Sequence, residues 1–96
     1  MNWKDGTSYS KFDHERIPRI WELPITKKIT LVVHRHIYDK STWFMTLRHL
    51  GNTVINMLNL NTDDENQAKA YAIDMTLEYL CCQKEEIESA IQRLRQ

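Results

Sequence analysis

The sequence predicts an α+β fold, in which a three- or four-stranded antiparallel sheet packs on one long C-terminal helix in the order βββα. Residues 28–60 alternate between apolar and polar side chains with the two-residue period of a strand. Residues 62–95 then repeat apolar side chains at helical intervals, without Gly or Pro. We therefore expect a single domain over residues 1–96, with an irregular N-terminal segment over residues 1–27.

Three strands account for the alternating region: Ile29–Ile37, Trp43–Leu50 and Val54–Leu60. A polar loop separates the first two strands. Gly51-Asn52 supplies a two-residue hairpin turn between the second and the third, because both residue types accept positive φ. The N-terminal segment adds one further candidate, the sequence RIWEL, whose flanking prolines confine it to an edge of the sheet.

Strand pairing places one set of side chains on a core face toward the helix. Folding the strands about their connections sets Ile37 opposite Trp43 and Met45 opposite Leu58. Arg35, His49 and Asn56 are polar exceptions on this face. Its apolar members are Leu31, Val33, Ile37, Trp43, Met45, Leu47, Val54, Leu58 and Leu60.

The opposite, outer face of the predicted sheet is half apolar and half basic or imidazole. Its members are Val32, His34, His36, Phe44, Thr46, Arg48, Ile55 and Met57. A face with this much apolar surface is either covered by residues 1–25 or open for a partner. In the second case we expect the contact residues to be His34, His36, Phe44, Arg48, Ile55 and Met57.

The predicted helix begins with a capping box, in which Thr62 is the N-cap and Glu65 lies three residues later. With roughly 33 residues it is about 50 Å long, which exceeds the length of the strands. Its first half can cover the sheet, but an apolar stripe continues beyond it. The stripe needs the N-terminal segment, a second helix or a second subunit, and as a dimer contact it uses Leu80, Ile87, Ile91 and Leu94.

Charge and composition limit the kinds of partner. Residues 1–61 contain nine basic and five acidic residues, whereas residues 62–96 contain four basic and eight acidic residues. The domain is therefore expected to carry a charge dipole. No apolar run is long enough for a membrane span, no secretory signal opens the chain, and the adjacent Cys81 and Cys82 cannot bridge each other well. These features favour a reduced, cytoplasmic environment.

Catalytic and metal chemistry have little support in the sequence. His34 and His36 form an H-x-H pair on one strand face, but no third ligand follows at a diagnostic spacing; His14, Asp39 and Cys81 are the candidates. No phosphate-binding loop, nucleophile elbow or HExxH motif is present, and the two cysteines are interpreted as buried small hydrophobes. We therefore expect neither an enzyme nor a cofactor.

Two resemblances extend this interpretation. The sheet–helix order and the helix start DDENQAKAYA resemble the arm-binding domain of tyrosine recombinases, which implies DNA recognition by the sheet. The segments WKDGTSYS, RIPRIWEL and VHRH, followed by W-x-x-x-L, resemble small accessory proteins of bacteriophages and prophages. That resemblance implies a non-enzymatic inhibitor of a host protein or protein–nucleic acid machine, as anti-CRISPR proteins are. A DNA-binding domain and a structural homodimer remain the alternatives.

Overall fold

The computed structural model of the chain describes residues 2–9, 17–35 and 41–96. Within these ranges the chain forms five strands and one helix: β1 (Lys4–Asp5), β2 (Ile20–Thr26), β3 (Ile29–Arg35), β4 (Trp43–His49), β5 (Asn52–Asn59) and α1 (Glu65–Leu94). The strands form one antiparallel sheet in the order β1-β2-β3-β4-β5. The predicted α+β fold is confirmed, with five strands instead of three or four.

Two of the strands come from the segment that was predicted to be irregular. The predicted RIWEL strand forms most of β2, which continues through Pro24 to Thr26. Pro24 lies beyond the short contact with β1, which pairs only at Glu22 and Trp21, so no β1 partner needs the N–H that proline lacks. A turn at residues 27–28 then leads into β3.

The register between β3 and β4 differs from the prediction by two residues. Trp43 pairs with Arg35, whereas the predicted partner, Ile37, lies outside the described residues. Because side chains alternate with a period of two, this shift leaves every described side chain of the pair on its predicted face. The Arg35 guanidinium carbon lies 4.9 Å from the centre of the Trp43 ring, so the polar exception makes a cation–π contact.

The β4–β5 hairpin turns one residue earlier than predicted. Leu50 and Gly51 form the turn with φ angles of 56° and 80°, the two positive values that a type I′ turn requires. Met45 pairs with Leu58 as predicted, but the register shifts twice between this pair and the turn. Met57 lies in the irregular part of β5 with a φ of 48°.

This irregularity moves Ile55 to the other face of the sheet. Ile55 pairs with Leu47 and packs against the core, so its predicted place on the outer face is wrong. Val54, predicted to be in the core, is 38% exposed, and Leu58 is 37% exposed. β5 is an edge strand and α1 packs over β3 and β4, which leaves these two side chains incompletely covered.

The core lies between the inner face of the sheet and the first turns of α1. The predicted core positions on β3 and β4 are confirmed, as is Leu60. β2 adds Leu23, which the prediction lacked. The fully buried apolar residues of the helix are alanines, and Ile73 and Tyr79 pack against the core as partly buried side chains. The buried apolar residues are Leu23, Leu31, Val33, Trp43, Met45, Leu47, Leu60, Ala68 and Ala72.

The helix begins at Glu65, two residues later than the predicted N-cap at Thr62 implies. The Asp64 carboxylate is the N-cap and accepts hydrogen bonds from the backbone N–H groups of Asn66 (2.8 Å) and Gln67 (3.1 Å). The predicted capping box is therefore wrong. Thr62 lies before the N-cap, and its hydroxyl accepts a hydrogen bond from the backbone N–H of Asp64 at 3.1 Å.

As predicted, α1 is continuous over its 30 residues, which corresponds to about 45 Å. Its first half contacts the sheet, through the buried residues Ala68, Ala72 and Thr76 and through Tyr79, whose hydroxyl lies 3.0 Å from Nδ1 of His49 on β4. Tyr71 and Met75 lie in the half of the helix that was expected to cover the sheet, but they are 43% and 38% exposed. Residues 84–96 are exposed throughout. The helix therefore projects beyond the sheet and lengthens the molecule to 63 Å.

Aromatic contacts fix the start of α1 to the edge of the sheet. Trp21 on β2 donates a hydrogen bond from Nε1 to the Glu65 carboxylate. The Lys69 ammonium lies 3.8 Å from the centre of the Trp21 ring and 5.6 Å from that of Trp3. These contacts lie on the inner side, and β1 and β2 extend the sheet sideways. Neither strand covers the outer face.

Candidate binding surfaces

The outer face of the sheet has a half-buried centre. Strand alternation brings Val32 and His34 from β3 beside Thr46 and Phe44 from β4, on the side away from α1. All four are half-buried, as is Ile20, which pairs with His34 from β2. The centre of this face is thus formed by apolar, imidazole and hydroxyl groups.

His34 is held in place by two neighbours. Its ring stacks on Phe44, with ring centres 6.1 Å apart and planes 22° apart. Its Nε2 lies 3.2 Å from the hydroxyl of Thr46, which also accepts a hydrogen bond from the Met57 N–H at 3.3 Å. When Thr46 donates its own proton to Nε2, all three groups are satisfied, and the imidazole is neutral. Burial lowers the pKa of His34 below its ordinary value of 6.5, which favours the same neutral form.

We expect the free energy of unfolding to decrease as the pH falls below about 6.5. The pKa of His34 is lowered in the folded state, so the unfolded state binds the proton more readily in this range and stability is lost as the pH falls. Urea denaturation at about pH 7.5 and about pH 5.5 measures the change, which His34→Gln should reduce. An equal loss of stability in both proteins would contradict this role of His34.

A ring of exposed polar and charged residues surrounds the centre. Glu22 on β2 pairs with Lys4 on β1, and Arg48 lies at the turn end of β4. Thr53 and Asn59 on β5 complete the rim. All five are exposed. Both signs of charge are present, so the face is not a uniformly basic surface.

The predicted contact residues are partly brought together. His34, Phe44 and Arg48 share the outer face, and Met57 lies beside Thr46 with half of its surface exposed. Ile55 is on the core side, and His36 lies outside the described residues. Sequence reasoning missed Ile20, Glu22 and Lys4. The alternating apolar and polar residues of RIWEL could have predicted β2. β1 has only two residues, which is too few to show an alternating pattern.

Metal ligands do not converge in the part of the chain that the structure describes, where no three His, Cys, Asp or Glu residues are grouped to hold an ion. His14 and Asp39, two of the candidate third ligands, lie outside those ranges. Cys81 and Cys82 are both exposed, so their interpretation as buried hydrophobes is wrong. The buried residues of α1 end at Thr76, so the helix beyond that position gives the cysteines little cover.

A second surface lies on the inner side, where α1 leaves the sheet. Leu23, Ile25 and Leu31 from the strands face Ile73, Leu77 and Leu80 from the helix across an open groove of about 590 Å³. The groove continues along the helix as the predicted stripe. Leu77, Ile87, Ile91 and Leu94 on this stripe are 55%, 56%, 42% and 86% exposed.

Within the described ranges, no helix has both the length and the apolar character needed to cross a membrane. Comparison of the chain with protein-family models, with curated proteins and with solved structures found no match.

Proposed function

We propose that this is a non-enzymatic binding protein that recognises another protein through the outer face of its sheet. The observation that carries the proposal is the arrangement of this face, with a half-buried apolar and imidazole centre inside an exposed polar rim. Protein–protein interfaces have this anatomy, because the centre supplies apolar burial and the rim supplies orientation.

Phe44 and Met57 are the expected energetic centre of the contact. The Phe44 ring is already oriented by its stack on His34, so little side-chain freedom remains to be lost on binding. Met57 is 50% exposed and unbranched, which lets it fit an irregular partner surface. Arg48 on the rim suits a carboxylate of the partner. The partner surface is therefore expected to be apolar with acidic groups at its edge.

Nucleic-acid recognition by the same face is the second candidate. It is favoured by the exposed Arg48 and by the three central strands backed by a helix. The described strands place only Lys4 and Arg48 as cations on this face, with β2 and β3 between them, and Glu22 pairs with Lys4. Few phosphate contacts give little counterion release and weak binding. These charges support a protein partner in preference to a nucleic acid.

The proposal includes a biological role. The resemblance to phage and prophage accessory proteins supports a partner in the host cell, either a protein or a protein–nucleic acid machine, that is modulated or inhibited when its surface is occupied. This role requires cytoplasmic localisation, and it does not require a cofactor or a catalytic residue.

A pull-down with paired variants tests the proposal. Tagged wild-type protein is incubated with bacterial lysate, and any stoichiometric partner is then purified for titration. Phe44→Ala should weaken its binding by roughly 30-fold, about 2 kcal/mol, as expected for a central aromatic contact. Ser89→Asp, which alters an exposed residue of the helix outside the apolar stripe, serves as the control and should leave affinity unchanged.

Two outcomes would refute the outer-face assignment. One is binding of Phe44→Ala to the purified partner with the affinity of the wild type. The other is capture that depends on nucleic acid, shown by binding of labelled DNA or RNA to the purified protein at about 50 mM salt and weakened by Arg48→Ala. Circular dichroism of each variant confirms that the fold is retained.

A further inference from the structure

We propose that two copies of this chain form an antiparallel dimer through α1, in which the end of each helix lies in the groove of the other copy. The second copy occupies the helix stripe and the groove on the inner side of the molecule, so the dimer leaves the proposed outer-face contact free.

The stripe has the spacing of a helix that packs along another helix. From Ile73 onward its members alternate steps of four and three residues, an average of 3.5. This period keeps one narrow seam facing a neighbouring helix. The sheet cannot be that neighbour, because residues 84–96 are exposed throughout. The seam is formed by Ile73, Leu77, Leu80, Lys84, Ile87, Ile91 and Leu94.

The groove and the stripe form one continuous apolar surface. Leu77 and Leu80 belong to both, since they line the groove opposite Leu23 and Ile25 and are followed by the next members of the stripe. The groove volume of about 590 Å³ lies in the size range of pockets that enclose a multi-atom apolar ligand. An occupant must therefore be apolar, elongated and able to enter the concave end.

The apolar stripe of one helix matches the stripe of a second copy that runs in the opposite direction. The stripe from Leu77 to Leu94 is symmetric about the midpoint between residues 85 and 86. A second helix running the opposite way places Leu94 level with Leu77 and Ile91 level with Leu80. Leu94, at 86% the most exposed large apolar residue in the described ranges, then lies at the groove of the other copy. A two-fold axis makes both contacts identical.

Charge favours the antiparallel over the parallel arrangement. Lys84 interrupts the apolar stripe, and parallel helices would set Lys84 against its own copy. In the antiparallel pair, Lys84 lies level with Ile87 and next to Glu88 of the second copy. The basic end of the helix, at Arg93, lies level with Glu78 near the acidic beginning of the stripe. Each opposite-charge pairing therefore forms twice.

The area is sufficient for a specific contact. Five aliphatic residues from each copy, at roughly 100 Å² each, bury roughly 1,000 Å², the lower size for a biological interface. The dimer is therefore expected to dissociate on dilution. The five residues are Leu77, Leu80, Ile87, Ile91 and Leu94.

Light scattering of the full chain in reducing buffer tests the assembly, since reduction excludes disulfides between the exposed cysteines. At about 100 μM the wild type should show the mass of two chains. Ile87→Asp should show the mass of one. Ser89→Asp introduces the same charged side chain at an exposed position that is two residues away and outside the stripe. This variant should remain dimeric. A monomeric wild type, or a dimeric Ile87→Asp, would overturn the proposal.

A distance measurement tests the orientation. A spin label at Gln96→Cys, in a chain with Cys81→Ser and Cys82→Ser, reports the separation of the two helix ends. The antiparallel alignment puts these positions about 30 Å apart along the axis, whereas parallel helices would hold them about 10 Å apart. The short distance would overturn the antiparallel arrangement and the placement of Leu94 in the groove.

Discussion

Replacing Trp43 with alanine is expected to lower the free energy of unfolding by about 3–5 kcal/mol. Trp43 is 2% exposed and is the largest fully buried side chain of the core. The substitution removes its apolar burial, leaves a cavity, and removes the hydrogen bond from Nε1 to the Asp63 carbonyl (3.1 Å). A domain of this size has a total stability of about 5–15 kcal/mol, so the loss is a large fraction of it.

Urea denaturation at a protein concentration low enough to dissociate any dimer measures this loss. Trp43→Phe separates its causes, because the variant keeps most of the apolar burial and loses only the N–H donor and part of the ring. Tyr71→Ala is the control for removing an aromatic side chain at an exposed site, and it should cost less than about 1 kcal/mol. Equal losses for Trp43→Ala and Tyr71→Ala would contradict the central place of Trp43 in the core.

Replacing Ala72 with leucine is expected to destabilise the fold by about 1–3 kcal/mol. Ala72 and Ala68 are fully buried, and Thr76 continues their line along the helix. These small residues allow α1 to approach β3 and β4 closely, so three additional carbons at Ala72 must displace the helix or the sheet. The same denaturation experiment measures the effect.

Ala70 provides the matched control for this prediction. It lies on the same helix, two residues away, and is exposed. Ala70→Leu introduces the same side chain with the same helix propensity, so it should change stability by less than about 0.5 kcal/mol. If Ala72→Leu were as stable as Ala70→Leu, the helix would not be packed against the sheet through its small residues.

The central part of the fold could be predicted because its signals are periodic. Apolar residues two positions apart identified the core faces of β3 and β4, and Leu31, Val33 and Leu47 are fully buried as expected. The register could slip by two residues without changing any face, so periodicity alone could not choose between Ile37 and Arg35 as the partner of Trp43.

The errors at the candidate site have a different physical origin. Met57 adopts a positive φ. This conformation is uncommon for residues other than glycine, so there was no reason in the sequence to expect it at a methionine. The resulting shift placed Ile55 against the core, whereas strict alternation put it on the outer face. His34, Phe44 and Arg48 were placed correctly because β3 and β4 are paired without a register shift.

The strand order has a consequence for how the chain reaches this fold. Every strand pairs with its neighbour in the sequence, so the hairpins β2–β3 and β4–β5 close short loops at little entropic cost. Pairings between sequence neighbours give low contact order, which is associated with rapid folding. The sheet can therefore assemble progressively from local hairpins. The first half of α1 supplies the alanine surface that completes the core. Its second half has no buried residues, so it is not needed to form the core.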